Sequence, residues 1–498
     1  MKIQVSEDRA RRKRLLLINP RNPIVKLHDK KSRWNKYRVW KPLGLLVIAG
    51  LTPDDWEVSV IDENVVAPDY SRLPRPDLVG ISAFTSQAPR AYEVASGFRA
   101  RGIPVVMGGI HATVCADEAS NWVDSLVTGE AESVWNRVLE DAAAGRLAPV
   151  YEGELASMDQ MPPARHDLLA SGYYFGSIQT TRGCPLDCSF CSVSAFNGRT
   201  YRRRPIADVV AEFAMIGEKH VLVVDDNLIG TRRDHIARAK DLFRAMIEAK
   251  IDKRWFCQAT INMADDEELL ELAHRAGCIG VFVGFESITE DGLVEVHKKY
   301  NIQKGRSFRD SVRRIQRHRI TVAGSFIMGL ASDTPGIGRR IARTASEYGL
   351  DFLNVLYLTP LPGTSLWDTV EASGELLASD FPEDWQYFTL NHPVVQHPTL
   401  GEQEIRAEMQ ACMTEFYSLR NVTQRVLRNV WRRCQPKLTL AGNFSYRVNS
   451  RAGHSPLSDP RASVGGSVPK PVENRHVDPG VILAPDLVSS EQGAGVQR

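Results

Sequence analysis

Residues 180–200 read "TTRGCPLDCSFCSVSAFNGRT" and place Cys184, Cys188 and Cys191 within eight positions, whereas the other five cysteines of the 498-residue chain are scattered. Thiolates suit zinc or iron-sulfur clusters, and clustered cysteines in a reducing compartment more often bind metal or do redox chemistry than form disulfides. A structural zinc site closes with four ligands. No fourth Cys or His is close here: His166 lies upstream beside paired prolines, and His220 opens a later apolar run. Three cysteines can instead hold a 4Fe-4S cluster and leave one iron with an open position. Such an iron can bind a substrate.

The cysteines follow the first of a regular series of apolar runs: "GSIQTT" (176–181), "HVLVVDD" (220–226), "RWFCQAT" (254–260), "IGVFVGFE" (279–286), "TVAGSFIMG" (321–329) and "FLNVLYLTP" (352–360). Strands alternating with helical stretches at this rhythm predict a six-repeat parallel barrel, too few to close as an eight-fold one, with the cysteines at the carboxyl end where barrel enzymes keep their chemistry. Upstream, "LLLINP" (15–20), "EVSVID" (57–62), "DLVGISA" (77–83), "PVVMGG" (104–109) and "SLVTGE" (125–130) alternate with "PLGLLVIAGLT", "APRAYEVASGFRARG" and "DEASNWV". That pattern predicts an open parallel sheet with helices on both faces, which binds ligands beyond the carboxyl ends of its strands.

"MDQMPPARHDLL" (158–169) reads as a linker, because paired prolines continue neither a helix nor a central strand. After Pro398, "TLGEQEIRAEMQACMTEFYSLRNVTQRVLRNVW" opens with a capping box from Thr399 to Glu402 and continues at helical spacing. Beyond Tyr446 there is no Phe, Trp or Tyr, so residues 436–498 are expected to be mostly disordered. The expected division is therefore 1–152 for the α/β domain, 153–170 for the linker, 171–395 for the barrel, 396–435 for a helical segment and 436–498 for a tail.

The formal charge of +2 is a near-cancellation of 62 basic and 60 acidic residues, so no global field points to nucleic acid as a partner. No apolar stretch approaches the roughly 18 to 20 residues of a transmembrane segment, and the chain reads as cytoplasmic.

The CxxxCxxC spacing, with Gly183 and Pro185 beside the first cysteine and Phe190 before the last, resembles the radical S-adenosylmethionine superfamily over residues 171–365. The resemblance implies a 4Fe-4S cluster on Cys184, Cys188 and Cys191, with the unique iron chelated by the amino and carboxylate groups of S-adenosylmethionine, which is cleaved to a 5′-deoxyadenosyl radical. It implies an electron donor such as flavodoxin or ferredoxin. "VVDDNLIG" ends the second barrel strand where the family holds the methionine amino end, which makes Asp225, Asp226 and Asn227 candidates, although the family's commonest Gly-Gly-Glu is absent. Helix capping is the alternative role for these three. Glu286 is a candidate for the ribose hydroxyls, Gln258 for a position facing the top of the barrel, and Gly324, with Gly329, for the strand that packs on adenine.

An α/β domain ahead of such a barrel resembles the cobalamin-dependent class, whose first domain is Rossmann-like. The segments that carry this are "KPLGLLVIAG" (41–50), "VGISAFTSQ" (79–87), "GGIHAT" (108–113) and "VTGEAE" (127–132). They make Ser82 and Thr85 candidates for the buried nucleotide tail, and Gly108, Gly109, His111, Gly129 and Glu130 candidates for corrin contact, with a backbone-bonded loop histidine as the alternative for His111. The Asp-x-His-x-x-Gly sequence that places a histidine on cobalt in many cobalamin domains is missing, and His28 stands in no such context.

The implied function is C-methylation of an unactivated carbon of a small-molecule or lipid metabolite, and "HPTLGEQEIRAEM" and "GSFIMGLASDTP" are similar to segments of hopanoid C-methylases. Oxidative cyclisation or ring rearrangement, which shares both domains, is the alternative. Methylthiolation needs a second cysteine cluster, and a cobalamin sensor leaves the cysteine loop unexplained. "TINMADDEE", "GLASDTP" and "YLTPLPGT" are expected to line the substrate cleft.

Overall fold

A computed structural model describes residues 12–24, 41–169, 173–302 and 306–451; His28 and residues 452–498 of the expected tail lie outside them. The first sheet contains β1 (Lys13–Asn19), β2 (Trp56–Asp62), β3 (Leu78–Ser82), β4 (Val105–Gly108), β5 (Ser125–Gly129) and β6 (Val150–Gly153) in the order β2-β1-β3-β4-β5-β6, with every pairing parallel. Its central strands are unbroken apolar runs because both faces are covered. Leu16, Ile18, Val79 and Ile81 pack toward the Ala88–Arg99 helix, and Leu15, Leu17 and Leu78 toward the Leu43–Leu51 and Trp135–Ala143 helices. β6 is an additional edge strand that "VYEG" did not reveal: Tyr151 is its single buried residue.

The second sheet holds β7 (Gly176–Ile178), β10 (His220–Val223), β11 (Arg254–Gln258), β12 (Cys278–Glu286), β13 (Thr321–Met328) and β14 (Phe352–Tyr357), all parallel, in the order β14-β13-β12-β11-β10-β7. These are the six strands expected, wound as an open barrel. The first is shorter than its sequence implies, because Asp225 draws the backbone of Thr180 out of the sheet and the chain resumes as β8 (Thr181–Arg182), paired antiparallel to β9 (Arg202–Arg203).

Three further expectations are corrected. The helix after Pro398 is Glu402–Phe416 and its N-cap is Gly401, whose N–H is taken by Glu404, while the N–H of Thr399 is spent on His397. The expected tail begins with an ordered helix, Pro436–Arg451, which packs against the Leu419–Trp431 helix. Residues 376–395 do not belong to the barrel core. Trp385, Tyr387, Phe388 and Val394 join Tyr92, Phe98 and Trp122 in the core of the first sheet, where Trp385 Nε1 donates to Glu118 at 2.9 Å.

The two sheets are joined by buried polar ties. Lys41, 2% exposed, pairs with Glu218 at 2.8 Å and donates to the carbonyl of His166. Among the described residues no helix is long and apolar enough to cross a membrane.

Candidate active site

The cysteines sit on the loop that follows β8, and neighbouring elements fix that loop at several points. Gly183 turns it with φ +90, where a Cβ would stand 2.6 Å from the carbonyl of Thr200, so no other residue fits without displacing backbone. The Gly183 N–H donates to Asp226 at 2.8 Å, the Ser189 N–H to Val296, and the Leu366 N–H to the Ser189 carbonyl. Phe190 packs against a small apolar group formed by Val296, Ile327, Leu330 and Leu358. The aromatic before the last cysteine thus anchors the loop on β13 and β14.

All three thiols are free. Burial raises their pKa values above that of an ordinary thiol, that of Cys191 to about 12, while the charge of Lys298 acts in the opposite direction. Lys298, 8% exposed, pairs with Glu286 at 3.3 Å. Its ammonium stays protonated well above the ordinary lysine value: burial works against this, but Glu286 and the neighbouring thiolates outweigh it. A fixed cation beside three sulfurs offsets the negative charge that a thiolate-bound cluster brings in. Asn227, 2% exposed, interacts with the Cys184 sulfur, and its Oδ1 has no hydrogen-bond partner among the described residues. Among the described residues no three His, Cys, Asp or Glu side chains converge on one point, as a single ion requires. A cubane takes each thiolate on a separate iron and needs no such convergence. The donor set therefore fits a 4Fe-4S cluster better than zinc.

The expected ligands around the cluster resolve differently. Asp225 is fully buried and spent: Thr180 donates its N–H at 2.5 Å and its hydroxyl at 2.6 Å, and the Thr181 hydroxyl donates at 2.8 Å. It joins β10 to the start of the cysteine loop. Asp226 engages Gly183 and Asn197, so it too orients the loop. Burial raises both carboxyls above the ordinary value. Asn227 and Gln258 remain at the strand ends, with Gln258 exposed at the tip of β11. Glu286 stands at the end of β12 with φ +65 and is held by Lys298. Gly324 faces the helix-side core: a Cβ there would meet Leu350 at 2.4 Å and Phe285 at 3.1 Å. Strand alternation puts Ser325 and Ile327 on the opposite face, and Ile327 belongs with Phe190 of the cysteine loop.

Around the first sheet, Ser82 ends β3 and its hydroxyl nestles 2.8 Å from where a Cβ of Gly109 would stand. Gly108 ends β4, and Thr85 begins the short turn of helix Thr85–Gln87, 6% exposed. Between Ser82 and Thr85 the ring of Phe84 stands 60% exposed at the strand end, a candidate for contact with a flat macrocycle that sequence reasoning did not single out. Three of the expected corrin contacts are engaged within the protein. His111 lies in the Ile110–Val114 helix, fully buried, with Nε2 2.7 Å from the Tyr92 hydroxyl and its ring edge-on to Trp385. Gly129 is required by β6: a Cβ would stand 2.2 Å from the Gly153 carbonyl. Glu130, 3% exposed, receives hydrogen bonds from Arg182 and Arg202, each at 2.8 Å, and from the Ala156 N–H at 2.8 Å.

This last network carries the geometry of the whole site. Arg182 stands two residues before Cys184 and also pairs with Glu132 at 2.9 Å, while Arg202 lies on the strand paired to β8. The carboxyl end of β5 in the first sheet is thereby clamped to both flanks of the cysteine loop. Burial alone would raise the Glu130 carboxyl, but the two guanidiniums hold it below the ordinary carboxylate value. Gly363 lies between Val114 of the first domain and Ala195 of the helix that follows the cysteines. The carboxyl ends of the two sheets thus face one another.

Two stretches match known families: residues 178–345 the Radical SAM superfamily, and residues 36–139 the B12 binding domain. The hopanoid C-2 methylase of Rhodopseudomonas palustris is 29% identical over 364 residues, spanning 71% of this chain and 68% of its own. The bacteriochlorophyllide d C-12(1)-methyltransferase of Chlorobaculum tepidum is 27% identical over 432 residues, spanning 83% of this chain and 89% of its own. Among solved structures, the radical S-adenosylmethionine methyltransferase TsrM from Kitasatospora setae, with cobalamin and a [4Fe-4S] cluster bound, has the same fold at a TM-score of 0.64 and 19% identity, covering 88% of this chain and 99% of that one. With the cysteine loop, the six-stranded barrel and the facing α/β sheet in place, this chain belongs to the radical S-adenosylmethionine enzymes that carry a B12-binding domain.

Proposed function

We propose that the enzyme is a cobalamin-dependent C-methyltransferase that acts on an unactivated carbon of a small-molecule or lipid metabolite. The observation that carries this reading is the clamp of Glu130 on Arg182 and Arg202, which aims the strand ends of the B12-binding domain at the cysteine loop. When bound, the cluster with S-adenosylmethionine supplies a hydrogen-abstracting radical and cobalamin supplies a transferable methyl group. The protein's part is to hold radical source, methyl donor and substrate in register.

Cys184, Cys188 and Cys191 hold the cluster in this reading, and Lys298 balances their charge. Asn227 turns its unpaired Oδ1 to the S-adenosylmethionine amine, and Glu286 and Gln258 take hydroxyls of the ribose. Ser325 and Ile327, rather than Gly324, flank the adenine. Ser82, Thr85, Gly108 and Gly109 border the corrin and its tail, with Phe84 against the ring. In this reading cobalt takes no histidine ligand from the described residues. The enzyme works in the cytoplasm and receives electrons from a flavodoxin or ferredoxin.

The test is the ratio of by-products with an accepted substrate. A methyltransferase consumes two S-adenosylmethionines per product and yields 5′-deoxyadenosine and S-adenosylhomocysteine in equal amounts, with product label tracing to the S-adenosylmethionine methyl. Deoxyadenosine formed in step with product, and no matching homocysteine derivative, assigns the oxidative cyclase or rearrangement reading instead.

A further inference from the structure

The helices Leu419–Trp431 and Pro436–Arg451 pack on each other and leave several large apolar side chains facing outward. Inward, Val422 joins the barrel core, but most of the buried residues are polar. Asn429 donates to Asp351 at 2.6 Å, Asn443 to the Asp351 carbonyl at 3.0 Å, and Arg425, 2% exposed, to Asn443 and to Phe416. Outward, a row of large apolar residues stands among basic and polar ones. On the first helix Leu419, Leu427, Val430 and Trp431 are 54–90% exposed, at positions that fall on one helical face. On the second, Leu440, Phe444 and Val448 repeat every four residues and are 48–51% exposed.

Such a face needs a cover. The charge pattern says which kind: residues 419–451 contain eight Arg or Lys and no Asp or Glu. Beside Leu427 opens a groove of about 450 Å³ lined by Asn421, Gln424, Arg425 and Arg428 among others. Within it Arg425 Nη1 has no hydrogen-bond partner among the described residues. Burial and the charges of Arg432, Arg309 and Arg313 lower the pKa of Arg428, the sign of positive charge gathered without enough counter-charge. A second copy of this face would bring like charge against like charge. Nucleic acid would find stacking rings only in Trp431 and Phe444, since Leu419, Leu427, Val430, Leu440 and Val448, which make up most of the stripe, offer none.

We propose that the outward face of this helical pair docks on an anionic phospholipid bilayer, its Leu, Val, Phe and Trp side chains entering the interface and its arginines meeting lipid phosphates. Apolar stripes bordered by basic residues and carrying an interfacial Trp suit that surface. The inference is independent of the reaction type. Asp351 immediately precedes β14, so the pair covers amino-terminal strand ends, opposite to the cysteine loop. Docking therefore recruits the enzyme to the membrane and leaves the site at the far end of the barrel.

The test is co-sedimentation of the full-length chain with vesicles of phosphatidylglycerol and phosphatidylcholine in equal amounts, and with phosphatidylcholine alone. Wild type should pellet with the mixed vesicles at low salt and at least tenfold less with the neutral ones. The double variant Leu427→Glu, Trp431→Glu should lose at least tenfold of that binding, whereas Leu155→Glu, on another exposed apolar residue, should keep it. Removal of residues 452–498 should change binding less than twofold. No pelleting with mixed vesicles, equal pelleting of the double variant, or loss of binding on tail removal overturns the proposal. So does a wild type that ignores vesicles but self-associates, or retains an oligonucleotide, through Leu427 and Trp431.

Discussion

Both six-stranded sheets are wholly parallel and both end toward the same space, yet their ends are finished in opposite ways. The barrel ends in a dense polar frame: Asp225, Asp226 and the Glu286–Lys298 pair brace the loop that carries the three clustered cysteines. The first sheet ends in small residues, Ser82, Gly108 and Gly109, with Phe84 exposed among them. A compact cluster is held by donors, and a broad macrocycle is accommodated by leaving side chains out. One end should fail when a donor is removed, and the other when a side chain is added.

The largest expected effect is at the donors. Replacing Cys184, Cys188 and Cys191 together with alanine should reduce iron in the anaerobically reconstituted protein from about four per chain to background. Retention of a full cluster would falsify the assignment of the loop. Next comes an addition. Gly129→Val places a Cβ 2.2 Å from the Gly153 carbonyl at φ +68, and should lower unfolding free energy by more than about 3 kcal/mol. Gly108→Ala meets only a 3.5 Å contact and should cost less than about 1 kcal/mol, so its phenotype should be corrin binding rather than denaturant stability. Equal destabilisation by the two would erase the contrast.

Glu130→Gln removes the buried carboxylate that Arg182 and Arg202 share, leaving Arg182 with Glu132 alone, and should cost about 3 kcal/mol near neutral pH. The Glu130 carboxyl is held below its ordinary value of 4.5, so its contribution is present above that value and is lost as pH falls through the lower, folded-state value. The stability gap between wild type and Glu130→Gln should therefore narrow on acidification below 4.5; a constant gap would show that the carboxylate's charge is not what matters. The smallest effect is electrostatic. Lys298→Met removes a cation beside the thiols and should shift the reduction potential of the reconstituted cluster downward by tens of millivolts, about 50, without loss of iron. An unchanged potential would make Lys298 merely a partner of Glu286.

Strand count, strand order within the barrel and the position of the cysteine loop at the strand ends were legible because they rest on local signals, apolar runs at regular spacing and three cysteines in one loop. What the sequence did not reveal were surroundings that depend on a distant partner. Gly324 reads as a site glycine until β12 and β13 are paired and Phe285 fills its face. Glu130 and His111 sit in segments typical of ligand sites, yet their partners Arg202 and Tyr92 are far away in sequence. Lys298 had no local signal at all, since "VHKKY" is an ordinary charged turn until the helix Glu290–Glu295 brings it to the sulfurs. Residues 436–451 read as tail because their apolar positions face outward and their anchors are Thr439 and Asn443, both fully buried.

The return of Trp385, Tyr387 and Phe388 to the first sheet sets an order on biosynthesis. The sheet's strands leave the ribosome first, but the aromatic wall that closes their core is translated after the last barrel strand. Until then Tyr92 and Trp122 have an incomplete cover, and the nascent domain must wait, open on one side, for more than two hundred further residues. A fragment ending near residue 152 is therefore an unfinished object rather than a free-standing corrin carrier, and a ribosome paused within the barrel would hold out a hydrophobic surface for chaperones to meet.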